Sequence, residues 1–171
     1  MRIASLTASA VLTAAVLAVT AGPGRAAEPA QTTTPACSAA TTEVSVQNVS
    51  RPVNHQLLTL TNTGRTPCHA YGHPYLGFDE DQAVTRVVDE SRPQAVVTLA
   101  PGESAYAGIG LSAADGSGTH GRWARTLRVF LDNGSGSADE PTVVTLPRGT
   151  WIDDTAAVTH WQADPSDALM W

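Results

Sequence analysis

From about residue 43 onward, apolar and polar residues alternate in short runs, and each run is cut by a cluster of Gly, Pro, Asn, Asp or Ser. The runs predict strands at 43–49 (EVSVQNV), 55–62 (HQLLTLTN), 83–88 (AVTRVV), 94–99 (QAVVTL), 105–111 (AYAGIGL), 125–131 (RTLRVFL), 141–146 (PTVVTL) and 157–162 (AVTHWQ). In the sixth, Leu127, Val129 and Leu131 fall on one face and Arg128 on the other. The intervening segments TNTGR, APGES, AADGSGTHG and DNGSGSADE hold the residues that supply positive φ and Asx turns. Beyond the N-terminal apolar run, no stretch shows a helical stripe of ten or more residues. Seven to eight strands in a chain of this size predict an all-β fold with two antiparallel sheets, an immunoglobulin-like β-sandwich, with a barrel as the alternative.

The N-terminus changes the picture of where such a fold would work. Arg2, an Ala/Val/Leu-rich run from about Leu6 to Ala21 and the small residues of GPGRAAE predict a secretory signal peptide over residues 1–26. The run is shorter than the roughly 20 residues of a membrane span, and Gly22, Pro23 and Gly24 break it, so no span is expected after cleavage. Residues 27–36, rich in Pro, Thr and Ala, form a flexible lead-in, and residues 37–171 form a single domain. Of the ten basic residues, all arginine, cleavage removes Arg2 and Arg25 and leaves eight against 16 acids, a formal charge of −8. That balance excludes nucleic acid and anionic membrane surfaces as partners, since both require a basic footprint.

The two cysteines of an exported chain are expected to pair, Cys37 with Cys68, because the outside is oxidising. Neither stands in a CxxC or other metal spacing. A lipid-modified Cys37 is disfavoured: TTPAC lacks the apolar residue three places earlier and lies far past the apolar run, and the modification would orphan Cys68.

ACSAATTEVSVQ, LTLTNTGRTPCHAYGHP and the late VTHWQ together resemble the secreted actinobacterial domains of unknown function catalogued as four-two-three-two. That family's pattern is a Cys at the domain start, an apolar strand running into Thr-Asn-Thr-Gly, and a second Cys followed by a Gly-Tyr-Pro turn. Cys37, Asn62, Gly64, Cys68, Gly72 and Pro74 match it, whereas Ala70 replaces a larger apolar residue and His73 replaces tyrosine. The resemblance covers most of residues 37–162 and is most specific over 58–74. It implies an exported, disulfide-bonded β-sandwich of no established activity, and a bacterial source in which the glycosylation sequons at Asn48 and Asn133 go unused.

Candidate chemistry concentrates in CHAYGHPYLGF, residues 68–78, taken as a disulfide-pinned turn around Gly72 and Pro74. Tyr71, His73 and Tyr75 are the expected binding residues, being rigid amphipathic contacts on a pinned loop. His73 is held extended by Pro74, with a cis bond available there. His69 and His73 cannot share a helix face beside Gly72 and Pro74, and on an extended strand they stand about 13 Å apart, so no metal site is expected. Asp132, Asn133, Asp139 and Glu140 lack the spacing of a calcium loop, and Asp79-Glu80-Asp81 is taken as a charged turn. Trp123, Trp151 and Trp161 are expected as core anchors, with Trp171 docking on the surface or fraying. There is no G-x-S-x-G, HExxH, P-loop or GxGxxG motif. The sequence therefore predicts a secreted or cell-wall-associated, non-catalytic monomer without cofactor that binds a protein or an envelope component. An exported hydrolase or a metal carrier are the alternatives.

Overall fold

Alternation becomes backbone pairing in two main sheets. The structure, a computed structural model, describes residues 33–138 and 140–171. The expected signal peptide, the first part of the lead-in and Asp139 lie outside the described residues. One sheet has five strands in the order β1 (Thr42–Asn48), β2 (His55–Asn62), β6 (Ser104–Gly110), β11 (Ala157–Val158) and β4 (Arg86–Val87). The other has four, β5 (Val97–Leu99), β3 (Cys68–Phe78), β8 (Thr126–Asp132) and β9 (Thr142–Thr145). A two-stranded ribbon pairs β7 (Arg122–Trp123) with β10 (Trp151–Ile152), and a four-residue helix α1 (Pro165–Ala168) lies against β6. Strand pairing is antiparallel except between β4 and β11. The fold is all-β, and seven of these strands have three or more residues.

The largest departure from the sequence reading is β3: the expected turn over residues 68–78 is an eleven-residue strand, the longest among the described residues. Three expected strands are shorter than their apolar runs. Of 83–88 only Arg86–Val87 joins a sheet, because the Thr85 N–H and hydroxyl are drawn to the Leu76 carbonyl across the sandwich. Of 94–99 only Val97–Leu99 pairs, and of 157–162 Ala157–Val158, with Gln162 returning to bridge Tyr106.

The core is aliphatic, since the chain has only two phenylalanines. Leu58, Leu60, Ala105, Ala107, Ile109 and Val158 from the five-stranded sheet join Leu76, Phe78, Leu99, Leu127, Val129 and Leu131 from the other in one buried cluster, with Trp161 closing it at 1% exposure. Small residues on β6 let α1 approach: a Cβ at Gly108 would collide with the Ala168 carbonyl. Asn62 explains the TNTG motif. Buried, it donates from Nδ2 to the carbonyls of Thr66 and Leu99, both at 2.9 Å, and accepts the Gly64 N–H at 2.9 Å. It thereby satisfies a loop and fastens the end of β2 to β5 in the opposite sheet.

Cys37 and Cys68 are bonded, with Cα atoms 4.9 Å apart. The Cys37 N–H donates to the His69 carbonyl at 2.9 Å and the His69 N–H to the Pro35 carbonyl at 2.8 Å, so the bridge locks a short parallel contact beside β3. Replacing both cysteines by alanine is expected to lower stability by about 3.5–4 kcal/mol, the closure entropy of a loop with a separation of 31 residues. Equilibrium urea unfolding of the oxidised protein and the variant measures it; superimposable curves would refute the contribution.

Candidate functional site

Tyr71, His73 and Tyr75 straddle an irregularity in β3. Tyr71 pairs with Asp132 and Tyr75 with Phe130, so four steps along β3 match two along β8, a bulge of two extra residues. Gly72 adopts φ +50° there, and a Cβ on it would stand 2.7 Å from Asp132 Oδ2; conformation and space both call for glycine. An even excess preserves the alternation of faces. Cys68, Ala70, Pro74, Leu76 and Phe78 are buried, while His69, Tyr71, His73 and Tyr75 are half-buried.

These rings are engaged with each other. Centroids lie 5.4 Å apart for His69 and Tyr71, 4.6 Å for His73 and Tyr75, and 5.3 Å for His73 and His160. His69 Nδ1 lies 2.9 Å from the Thr98 hydroxyl, so the two histidines of the motif turn to different partners. Among the described residues no three His, Cys, Asp or Glu side chains gather as a metal site. Asp132 Oδ1 accepts the Gly134 N–H at 2.8 Å and Asn133 Oδ1 the Ser135 N–H at 2.9 Å, which commits these oxygens to their own loop. The cis peptide among the described residues is Arg51–Pro52, so the cis alternative at His73–Pro74 is not taken.

The sequence reading singled out neither His160 nor Ser91, which meet beneath His73. The Ser91 hydroxyl donates to the Val88 carbonyl at 2.6 Å, accepts the His160 N–H at 2.9 Å and lies 3.0 Å from His160 Nδ1. A hydroxyl has one proton, and a carbonyl can only accept it, so Nδ1 carries the hydrogen of the third contact. Ser91 is saturated and cannot give its proton to the imidazole, as a nucleophile beside its base would. Burial holds His160 below the usual histidine range, with His73 and Arg92 acting in the same direction. Burial likewise lowers His73, against the opposing pull of Asp132.

Two of the three tryptophans expected in the core lie outside it. Trp123 is 64% exposed and Trp151 41%. They are direct cross-strand partners on β7 and β10, with ring centroids 5.0 Å apart at 76°. The reason is a change of register. Thr126 pairs with Thr145, but Trp123 pairs with Trp151, so three steps along one strand match six along the other. The excess of three residues, Pro147–Arg148–Gly149, loops out, with Gly149 at φ +80°. An odd excess inverts the alternation: Leu127 and Ala124 are buried, and Trp123 and Arg125 turn outward. Gly121 seats the second indole, because a Cβ there would run into the Trp151 ring.

Asp79, at the end of β3 with φ +51°, clamps this ribbon. Its Oδ1 accepts the N–H groups of Arg125 and Thr126, both at 2.9 Å, and its Oδ2 accepts Arg122 Nη1 at 2.8 Å. Arg122 Nη2 reaches Asp81 at 2.6 Å. Burial would raise the Asp79 carboxyl, but the Arg125 and Thr126 N–H groups, the Arg122 guanidinium and the Thr126 hydroxyl hold it below the usual range. The charged turn at 79–81 is thus the anchor of the strand that carries Trp123.

Asp79→Ala is expected to cost about 1.5–3 kcal/mol, the range for hydrogen bonds to a charged group, and to weaken the indole exciton couplet in circular dichroism as the ribbon loosens. An unchanged couplet would refute the clamp. For His160 the sign follows from its lowered pKa: below the unfolded-state value of 6.5 the unfolded chain binds a proton that the folded chain resists. Stability is therefore greatest above that pH and falls as pH drops through it, and His160→Gln flattens the fall. Urea midpoints between pH 8 and 5 check this, and an equal slope in the variant would refute it.

Comparison with curated proteins and with solved structures finds no match. One family model does match, over residues 37–162, a span that starts at the first bonded cysteine, takes in every strand of both sheets and closes at the Gln162–Tyr106 bridge. That family is Domain of unknown function (DUF4232), and the chain belongs to it.

Proposed function

We propose that the protein is a non-catalytic binding module, working as a monomer outside the cytoplasm or at the cell wall, that holds a protein or an envelope component on the Trp123–Trp151 ledge. A single observation carries the reading: two indoles exposed by 64% and 41% are held in a fixed pair on a clamped ribbon. Exposed tryptophans without function are a solubility liability, and pre-organised aromatic pairs are the usual energetic centres of binding surfaces. What favours them over Tyr71, His73 and Tyr75 is exposure, since Tyr71 is half-buried against His69, and His73 and Tyr75 are half-buried against each other. Against the hydrolase alternative stands the saturated Ser91, buried with its proton committed to Val88. The disulfide supports an oxidising location.

Sedimentation of the purified protein with isolated envelope fractions, and its retention of proteins from the medium, tests the proposal. Retention is expected, weakened by about 2 kcal/mol, or roughly thirtyfold, in Trp123→Ala and similarly in Trp151→Ala. Retention that is absent, or unchanged in the double variant, would overturn it.

A further inference from the structure

The three-residue excursion that turns the tryptophans outward also opens a concavity of about 450 Å³ beside Trp123, within the about 300–1,000 Å³ of ordinary ligand sites. Its lining is mostly apolar, from Trp123, Ala124, Leu146 and Pro147, and its charged groups are Arg125 and Arg148, with no carboxylate. Among the described residues neither guanidinium forms an ion pair or a hydrogen bond, whereas Arg122, three residues before Arg125, is fully occupied by Asp79 and Asp81. In a chain of formal charge −6, two free arginines placed beside an exposed indole make a local field opposite to that of the molecule.

The walls are fixed before any ligand arrives. The Ala124 N–H donates to the Thr150 carbonyl at 3.0 Å and the Leu146 N–H to the Arg125 carbonyl at 2.9 Å, closing both ends of the excursion. The Thr150 hydroxyl donates to the Pro147 carbonyl at 2.8 Å and accepts Gln56 Nε2 at 2.8 Å, and Gln56 is fully buried. Arg148 therefore rides on a turn bolted to the five-stranded sheet.

We infer that this concavity binds an acidic glycan, with a sugar ring on the face of Trp123 and its carboxylate between Arg125 and Arg148; this rests on the binding reading above and names its ligand class. Guanidinium groups pair with carboxylates through parallel N–H donors, and indole faces accept the C–H side of a ring. An acidic peptide is the poorer fit. The Ala124 and Leu146 N–H groups at the two ends of the excursion are already paired with Thr150 and Arg125, so they are not offered to a peptide backbone. Single-stranded nucleic acid would also use indole and arginine, but the net charge repels it.

The test is tryptophan fluorescence titration of the full chain with a panel of oligouronates built on galacturonate, glucuronate and mannuronate, beside their methyl esters and an oligoglutamate. At least one acid is expected to bind, its ester about tenfold or more weaker, with a loss of about tenfold in each of Arg125→Gln and Arg148→Gln and more at low salt than at high. Equal binding of acid and ester would overturn the anionic site while leaving the tryptophan ledge standing. Equal binding of oligoglutamate would replace the glycan by an acidic peptide. Binding of no oligouronate, with envelope retention still lost in Trp123→Ala, would overturn this inference alone; no retention of any kind would remove both readings.

Discussion

The Cys37–Cys68 bridge fixes the first residue of β3, and β3 is the element to which the other restraints of the fold attach. Midway, the Gly72 carbonyl at the bulge accepts the N–H of Trp161, the large side chain that closes the core. At its far end Asp79 gathers Arg122, Arg125 and Thr126 and so fixes the ribbon that bears Trp123. One strand is thus restrained covalently at its start, by a carbonyl at its kink and by a carboxylate at its finish. Those attachments reach, in turn, Cys37 ahead of β1, the core plug and the candidate site.

Two irregularities of strand pairing give opposite results because one is even and the other odd. The two-residue excess in β3 keeps every side chain on its face, so the core row from Cys68 to Phe78 runs unbroken past Gly72. The three-residue excess at Pro147–Gly149 exchanges the faces, so residues beyond it that would have entered the core stand in solvent. Core packing and the proposed ledge thereby occupy one hairpin, with Leu127, Val129 and Leu131 inside on one side of the break and Trp123 and Arg125 outside on the other.

This arithmetic also explains what was legible in the sequence. The all-β class, the cysteine pair and the centres of β1, β2, β6 and β8 follow from alternation and turn residues that act locally. β3 was misread because Gly72 and Pro74 are strand breakers on local grounds, while its real signal, Ala70, Pro74, Leu76 and Phe78 at a period of two, spans them. Trp123 is expected inside because a large apolar ring is ordinarily a core anchor in a small sandwich, an expectation that takes no account of strand pairing. The sole hint of inversion is the Pro-Arg-Gly run on the partner strand, and its effect depends on pairing that no single segment encodes. His160 and Ser91, 69 positions apart, meet only in the fold.

The separation of faces has an energetic corollary. Trp123, Arg125, Arg148 and Trp151 lie outside the buried cluster, so exchanging them carries a small cost to folding, whereas Asp79, Gly121 and Thr150 set where those four side chains stand. On such a scaffold the proposed ledge can change at four surface positions while the positions beneath stay constrained by geometry. Thr150 shows how close the two demands come. The threonine that bolts the Arg148 turn is held by buried Gln56, whose Nε2 donates to Thr150 Oγ1 at 2.8 Å and to Asn48 Oδ1 at 2.9 Å. A polar pair, Gln56 and Thr150, thus stands in the interior where the fold meets the candidate site, and its hydrogen bonds fix a turn that an aliphatic pair would leave untied.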